Sequence, residues 1–176
     1  MSMRILLSAA TIASLLLFCS SVQAQNTARA DLKNAEGKSV GAAEFRETKE
    51  GVLVVLRVHD LSPGLHAVHI HAVGKCEGPQ FTSAGGHFNP GQKKHGFKNP
   101  EGPHAGDLPD LLIAKNGAGR FEAVTDAVTI AAGANSLFDQ DGSAIVVHAT
   151  ADDNTTDPTG NSGDRIACGV IEKSKR

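Results

Sequence analysis

From Gly74 to Pro109 the chain runs through Gly, Pro, Asn and Lys with no apolar periodicity, yet strand-like segments flank it on both sides. A loop that long inside a compact domain is uncommon unless function or a bound metal orders it. This one carries His87, His95, His104 and Asp107. The chain must therefore fold into a scaffold of short elements to which one histidine-rich loop is tied.

Further metal-binding side chains lie outside the loop. His69 and His71 sit two apart in the apolar run Leu65 to Val73, and on a strand alternate side chains share a face, so both can reach one ion. His148 ends the apolar run that starts at Ala144 and adds a third nitrogen if that strand lies alongside. Imidazole suits copper and zinc, and a carboxylate completes a tetrahedral zinc site, so these donors can be split chemically into two sets. A lone His-x-His is often incidental, and a loop with three histidines can be plain solvated surface. Together, however, these groups hold six of the eight histidines with a matched carboxylate, which favours two metal sites. The remaining two, His59 and His66, are not assigned to metal.

Met1 to Ala24 has a basic start at Arg4, an apolar run from Ile5 to Phe18 and a small-residue ending, Val22-Gln-Ala24, the pattern of a secretory signal peptide. The apolar run is too short to span a bilayer comfortably, and no later segment offers a membrane span. Phe18 before Cys19 fits lipoprotein processing poorly, so a lipid anchor is the minor alternative to cleavage. The mature chain, Gln25 to Arg176, is then a single exported domain of 152 residues, periplasmic in a Gram-negative bacterium and otherwise secreted. It keeps Cys76 and Cys168, for which one disulfide is the natural inference in an oxidising space; two free buried thiols are the alternative. Loss of Arg4 leaves 16 basic against 19 acidic side chains, a formal charge near −3, with no basic footprint for nucleic acid.

The rest reads as all-β. Candidate strands are Thr27 to Leu32, Ser39 to Glu47, Gly51 to His59, Leu65 to Ala72, Leu111 to Lys115, Arg120 to Asp126, Ser143 to Ala149 and Gly169 to Glu172, several of them separated by Gly-containing turns. That spacing predicts an antiparallel sandwich or barrel of about eight strands, broken by two long loops, Gly74 to Pro109 and Thr150 to about Arg165. The charged tail from Lys173 to Arg176 reads as a frayed end.

At this point the chain resembles a known family, the copper/zinc superoxide dismutases in their exported bacterial form. The matching segments are Gly64-Leu-His-Ala-Val-His-Ile-His71, Gly85-Gly-His-Phe-Asn-Pro90, His104-Ala-Gly-Asp107, Val146-Val-His148 and Thr159-Gly-Asn-Ser-Gly-Asp-Arg-Ile-Ala-Cys-Gly169. The resemblance implies a Greek-key β-sandwich or barrel. It implies copper on His69, His71, His87 and His148, and zinc on His87, His95, His104 and Asp107, with His87 shared between them. Asp152 would be the outer carboxylate linking a copper histidine to a zinc histidine. Its neighbour Asp153 reads as one more acid in a polar loop. Arg165 would stand beside the open face of copper to attract and orient superoxide, with Thr159 on the opposite rim.

The implied reaction is disproportionation of superoxide to molecular oxygen and hydrogen peroxide, an antioxidant activity, with His87 carrying protons in the second half. The segment from Asp153 to Pro158 contains no lysine, so steering charge is expected instead from Lys75, Lys93, Lys94 and Lys98. His66 resembles a family histidine that hydrogen-bonds backbone, and His59 reads as a surface residue. The resemblance leaves monomer and homodimer both open. A metal carrier without catalysis is the main rival function; it would bind the same ions but need no arginine beside an open coordination position.

Overall fold

The computed structural model describes residues 26–174, so the expected signal peptide, Met1 to Ala24, lies outside the described residues. Among the described residues ten strands form, all paired antiparallel: β1 (Thr27–Asn34), β2 (Ser39–Glu47), β3 (Val52–Val58), β4 (Gly64–His66), β5 (Val68–His71), β6 (Leu111–Ile113), β7 (Gly119–Thr125), β8 (Ala144–His148), β9 (Arg165–Val170) and β10 (Glu172–Lys173). Strand character follows the β-branched and apolar alternation of each segment: in β1, Ala28, Ala30 and Leu32 point inward while Arg29, Asp31 and Lys33 face water.

Hydrogen-bonded neighbours follow the order β4-β6-β7-β3-β2-β1-β9-β8-β5, with β10 added outside β1. The two ends of that path are halves of one run, separated only by Ala67, so the sheet closes on itself as a barrel. Ala67 joins the ladder through its own backbone, donating to Thr150 O and accepting from His148 N. The interior is filled by one cluster including Leu32, Phe45, Leu56, Ile70, Leu111 and Ile145.

The expected strand Leu65 to Ala72 is thus two, because the run changes partners from β6 to β8. The final strand was expected at Gly169 but begins at Arg165. Gly169 is not a break: a side chain there would press on the Asp31 carbonyl of the neighbouring β1, so glycine permits close packing. The tail is also tied down further than expected. Glu172 and Lys173 pair with β1, and Lys173 Nζ lies 4.9 Å over the Phe138 ring.

A third long connection, from Asp126 to Ser143, escaped sequence reading. Val128, Ile130 and Leu137 plug the core from it, and Glu47 secures it by accepting from Thr129 Oγ1 and Ile130 N.

The loop from Gly74 folds back over the outer face of β5, β8 and β9. Phe81 and Ala84 pack there on Ala144, Val146 and Cys168 in a second apolar cluster, beside the disulfide Cys76–Cys168, whose Cα atoms are 5.6 Å apart. Removing that cross-link with a double cysteine-to-serine change is expected to lower stability by about 4–5 kcal/mol on the chain-entropy account of a loop this long. A urea midpoint unchanged in the double variant would contradict that expectation. Among the described residues no helix is long and apolar enough to cross a membrane.

Candidate metal centre

Alternation along β5 sends Val68 and Ile70 into the barrel and His69 and His71 to its outer face. That face would be wet, but both histidines are buried because the two long loops close over them. The first loop is stitched to β5 by its backbone: Ala72 N donates to Gly86 O, Phe88 N to Ile70 O, and Ile70 N to Gly106 O. These contacts bring His87 opposite His71 and Asp107 opposite His69. His148 arrives from the neighbouring β8 at a bulge.

Two groups of donor atoms result, each with all atoms within 4.8 Å of one another: His69, His71, His87 and His148, and His69, His87, His95 and Asp107. The first matches the expected copper set. In the second, His69 appears where the resemblance places His104, yet His104 is close by. Its Nδ1 is 3.3 Å from His87 Nδ1 and 3.5 Å from Asp107 Oδ1. His87 Nδ1 and His95 Nδ1 lie 3.0 and 3.1 Å from that same oxygen. A tetrahedron with zinc–ligand bonds of about 2.0 Å has edges of about 3.3 Å, so the three nitrogens each stand about one such edge from Asp107 Oδ1.

The other ring atoms decide which nitrogen each histidine offers. His69 Nε2 donates to Asp152 Oδ2 at 2.7 Å, and His95 Nε2 donates to Asp152 Oδ1 at 2.9 Å, so one carboxylate holds a ring from each group. His71 Nδ1 donates to Gly85 O at 2.9 Å, leaving Nε2 to face His148 Nε2 at 3.4 Å. Among the described residues, buried ring atoms without a hydrogen-bond partner include His69 Nδ1 and His87 Nε2, while His95 Nδ1 faces Asp107 Oδ1 at 3.1 Å. Orphaned buried nitrogens are costly unless something binds them, and here they turn toward other ligand atoms, as a cation site requires. Asp107 Oδ2 is occupied by the backbone N–H groups of Gly96 and His104, which leaves Oδ1 for the ion.

Electrostatics follows the same division. Burial pushes His69 down to about 4 and His148 down to about 3, and holds His71 well below the ordinary range, so all three rings are neutral and ready to bind a cation near pH 7. Burial also pushes His95 down, but Asp107 and Asp152 outweigh it and raise the ring to about 9. Both carboxylates are themselves held far below their usual range despite burial, chiefly by the facing histidines.

These shifts set a pH profile for protein stripped of metal by chelation. His69 and His148 contribute stability above their unfolded value near 6.5, lost as pH falls through about 4 and 3. His95 contributes below 6.5, lost as pH rises through about 9. The urea midpoint is therefore expected to peak near pH 6.5 and decline on both sides; a monotonic rise from pH 4 to 9 would contradict the assignment.

Arg165, the first residue of β9, is half-buried, and its guanidinium donates to Phe81 O and to Gly85 O, each at 2.6 Å. Gly85 O therefore serves both Arg165 and His71. Arg165 lines a pocket of about 350 Å³ with His71, His87, Asn89, His148 and Thr159, so it stands beside the first donor group in a pocket that Thr159 also lines. Burial lowers the arginine from its ordinary value, but guanidinium keeps its charge in proteins. Of the expected steering lysines, Lys94 is paired with Asp157 at 3.3 Å, while Lys75, Lys93 and Lys98 are exposed on the same loop.

His66 is buried with ring nitrogens 2.8 Å from His148 O and 2.9 Å from Ser62 O, the expected structural role, and His59 is exposed beside Asp60. Asp153, read as a plain loop acid, instead braces its loop, accepting from Thr155 N, Thr156 N, Thr156 Oγ1 and Asn161 Nδ2. Sequence reasoning also missed Asp157, which accepts from His95 N at 2.8 Å, and Gly160. At Gly160, a side chain would overlap Asp152 Oδ1 and His95 Nε2. Gly160→Ala is accordingly expected to displace the shared carboxylate and lower zinc content; full zinc in the purified variant would show that the loop yields instead.

Residues 39–171 match the family model described as copper/zinc superoxide dismutase. Superoxide dismutase [Cu-Zn] 2 of Aquifex aeolicus is 48% identical over 167 residues, covering 94% of this chain and 98% of the relative. Superoxide dismutase [Cu-Zn] of Caulobacter vibrioides is 43% identical over 83% of this chain and 86% of its own length. Among solved structures, a SOD-like protein from Bacillus subtilis superposes with a TM-score of 0.78 at 42% identity, covering 81% of this chain and 96% of that one.

Proposed function

The chain belongs to the copper/zinc superoxide dismutase family, and from that premise we propose how its own residues divide the work. The reaction converts two superoxide anions and two protons into molecular oxygen and hydrogen peroxide. Copper, when bound, supplies the one-electron couple for both half-reactions, while zinc adds charge and order without redox chemistry. We assign copper to His69 Nδ1, His71 Nε2, His87 Nε2 and His148 Nε2, and zinc to His87 Nδ1, His95 Nδ1, His104 Nδ1 and Asp107 Oδ1. The observation that carries this division is the single buried ring of His87, with Nδ1 among the carboxylate-centred donors and Nε2 free of any partner.

The remaining roles follow from position. Arg165 places a fixed positive charge in the pocket wall beside His71 and His148, where it draws superoxide in and orients it against Thr159. Lys75, Lys93 and Lys98 extend that field outward. His87 Nε2 would hold copper or, when not bound to it, carry the proton that passes to the second superoxide. Asp152 fixes the tautomers of His69 and His95 so that each turns Nδ1 to its ion.

The first 24 residues serve as the cleaved export signal, and the protein works in the cell envelope or outside the cell. Two copies pair in solution; the exposed side chains of Leu65 and Leu112, directly opposite on β4 and β6, support an apolar contact there. Sedimentation equilibrium of the mature protein reads the second point, and N-terminal sequencing of exported protein, expected to begin at Gln25, reads the first.

The deciding experiment follows the decay of a superoxide pulse. Protein loaded with copper and zinc should catalyse decay at near-encounter rates, and the same protein without copper should not. Decay equal to buffer with both metals bound would replace catalysis by metal carriage.

A further inference from the structure

We propose that Ser162 is a positioning residue of the copper group, setting the orientation and donor strength of His148; this rests on the assignment of His148 to copper above. Ser162 is fully buried, and its Oγ lies 3.1 Å from His148 Nδ1. The hydroxyl proton is already committed, because Oγ donates to Thr159 O at 2.8 Å. Ser162 Oγ must therefore accept from His148, and His148 Nδ1 must carry the ring proton. That is the tautomer which leaves Nε2, facing His71 Nε2, to bind an ion.

The ring proton is shared, since Gly163 O also lies 3.2 Å from Nδ1. A backbone carbonyl alone would hold the tautomer. The added hydroxyl polarises the N–H further and makes the ligating nitrogen a stronger donor, which favours the higher charge on copper. It also links the ligand ring to Thr159, which lines the pocket as well. A serine in a Gly-Asn-Ser-Gly turn reads from sequence as plain loop chemistry; only its burial and the direction of its proton give it this role.

The test uses the protein loaded with copper and zinc. In the reduced, diamagnetic form, the His148 Nδ1–H is expected as a slowly exchanging, downfield resonance with a nuclear Overhauser contact to the Ser162 β-protons. Ser162→Ala should move that resonance upfield, speed its exchange, and raise the copper midpoint potential, equivalent to a loss of up to about tenfold in preference for Cu(II) over Cu(I). A ring resonance and a potential both unchanged in S162A, with both metals bound, would overturn the proposal. If S162A does not hold its metals, the wild-type spectrum decides: a ring proton without contact to Ser162 overturns it, and the contact sustains it. Failure of the underlying assignment looks different, since the His148 ring in wild-type protein would then not respond to copper at all.

Discussion

Replacing Arg165 with glutamate is expected to slow catalysed superoxide decay by about a hundredfold or more while copper and zinc content stay at wild-type level. The substrate is a small anion, and the mature chain itself has a formal charge near −3, so attraction must come from local field rather than from the whole molecule. Arg165 is the cation in the pocket wall, half-buried and therefore less screened than a surface lysine. Arg165→Gln should cost less, about tenfold, because it removes attraction without adding repulsion. The wild-type rate should fall as ionic strength rises, and the glutamate variant should lose or reverse that dependence. A metal carrier would be indifferent to these changes, so an unaltered rate in fully loaded Arg165→Glu would remove the guidance role.

Asp152→Asn is expected to weaken zinc binding by about 10- to 100-fold and copper binding in the same direction, as read by competition with a chromophoric chelator. Each carboxylate oxygen accepts one ring N–H, from His69 at 2.7 Å and from His95 at 2.9 Å, and a third donor, Asn154 N, reaches Oδ1 as well. An amide has one acceptor oxygen, and its NH₂ would point at a ring N–H. One histidine must then turn or lose its partner, in a site where both rings are fully buried and an unmet donor is costly. Zinc affinity within twofold of wild type would show that the backbone alone orients these rings.

Most of the barrel was legible in the sequence because half-buried strands alternate, and the turns between them use glycine where a left-handed backbone is needed, as at Gly37 and Gly117. What was hidden had no compositional signal. The division of Leu65 to Ala72 into β4 and β5 depends on which strands lie on either side, and the start of β9 at Arg165 was masked by polar loop residues and by Gly169. At the metal centre the ligand types and spacings spoke clearly, aided by the family resemblance. The supporting groups did not. Asp153, Asp157, Gly160 and Ser162 belong to a segment whose composition is that of any solvated loop, and their roles arise from where the fold brings their protons, oxygens or missing side chain.

The joint at Ala67 also governs where this chain can change length. Because β4 and β5 are one continuous run, the eight pairings along the path must return to the starting strand, and the offsets around the ring must sum to a closed circuit. The bulges at Leu32/Lys33 and Val147/His148 are part of that sum. One residue inserted in any strand would flip that strand's faces and leave the ring unable to meet itself. The same insertion in the turn from Lys115 to Ala118 or in the long connection after Asp126 would leave the circuit intact. Homologous chains that share this closure should therefore accumulate insertions and deletions between strands, while strand lengths stay fixed like the links of a clasped chain.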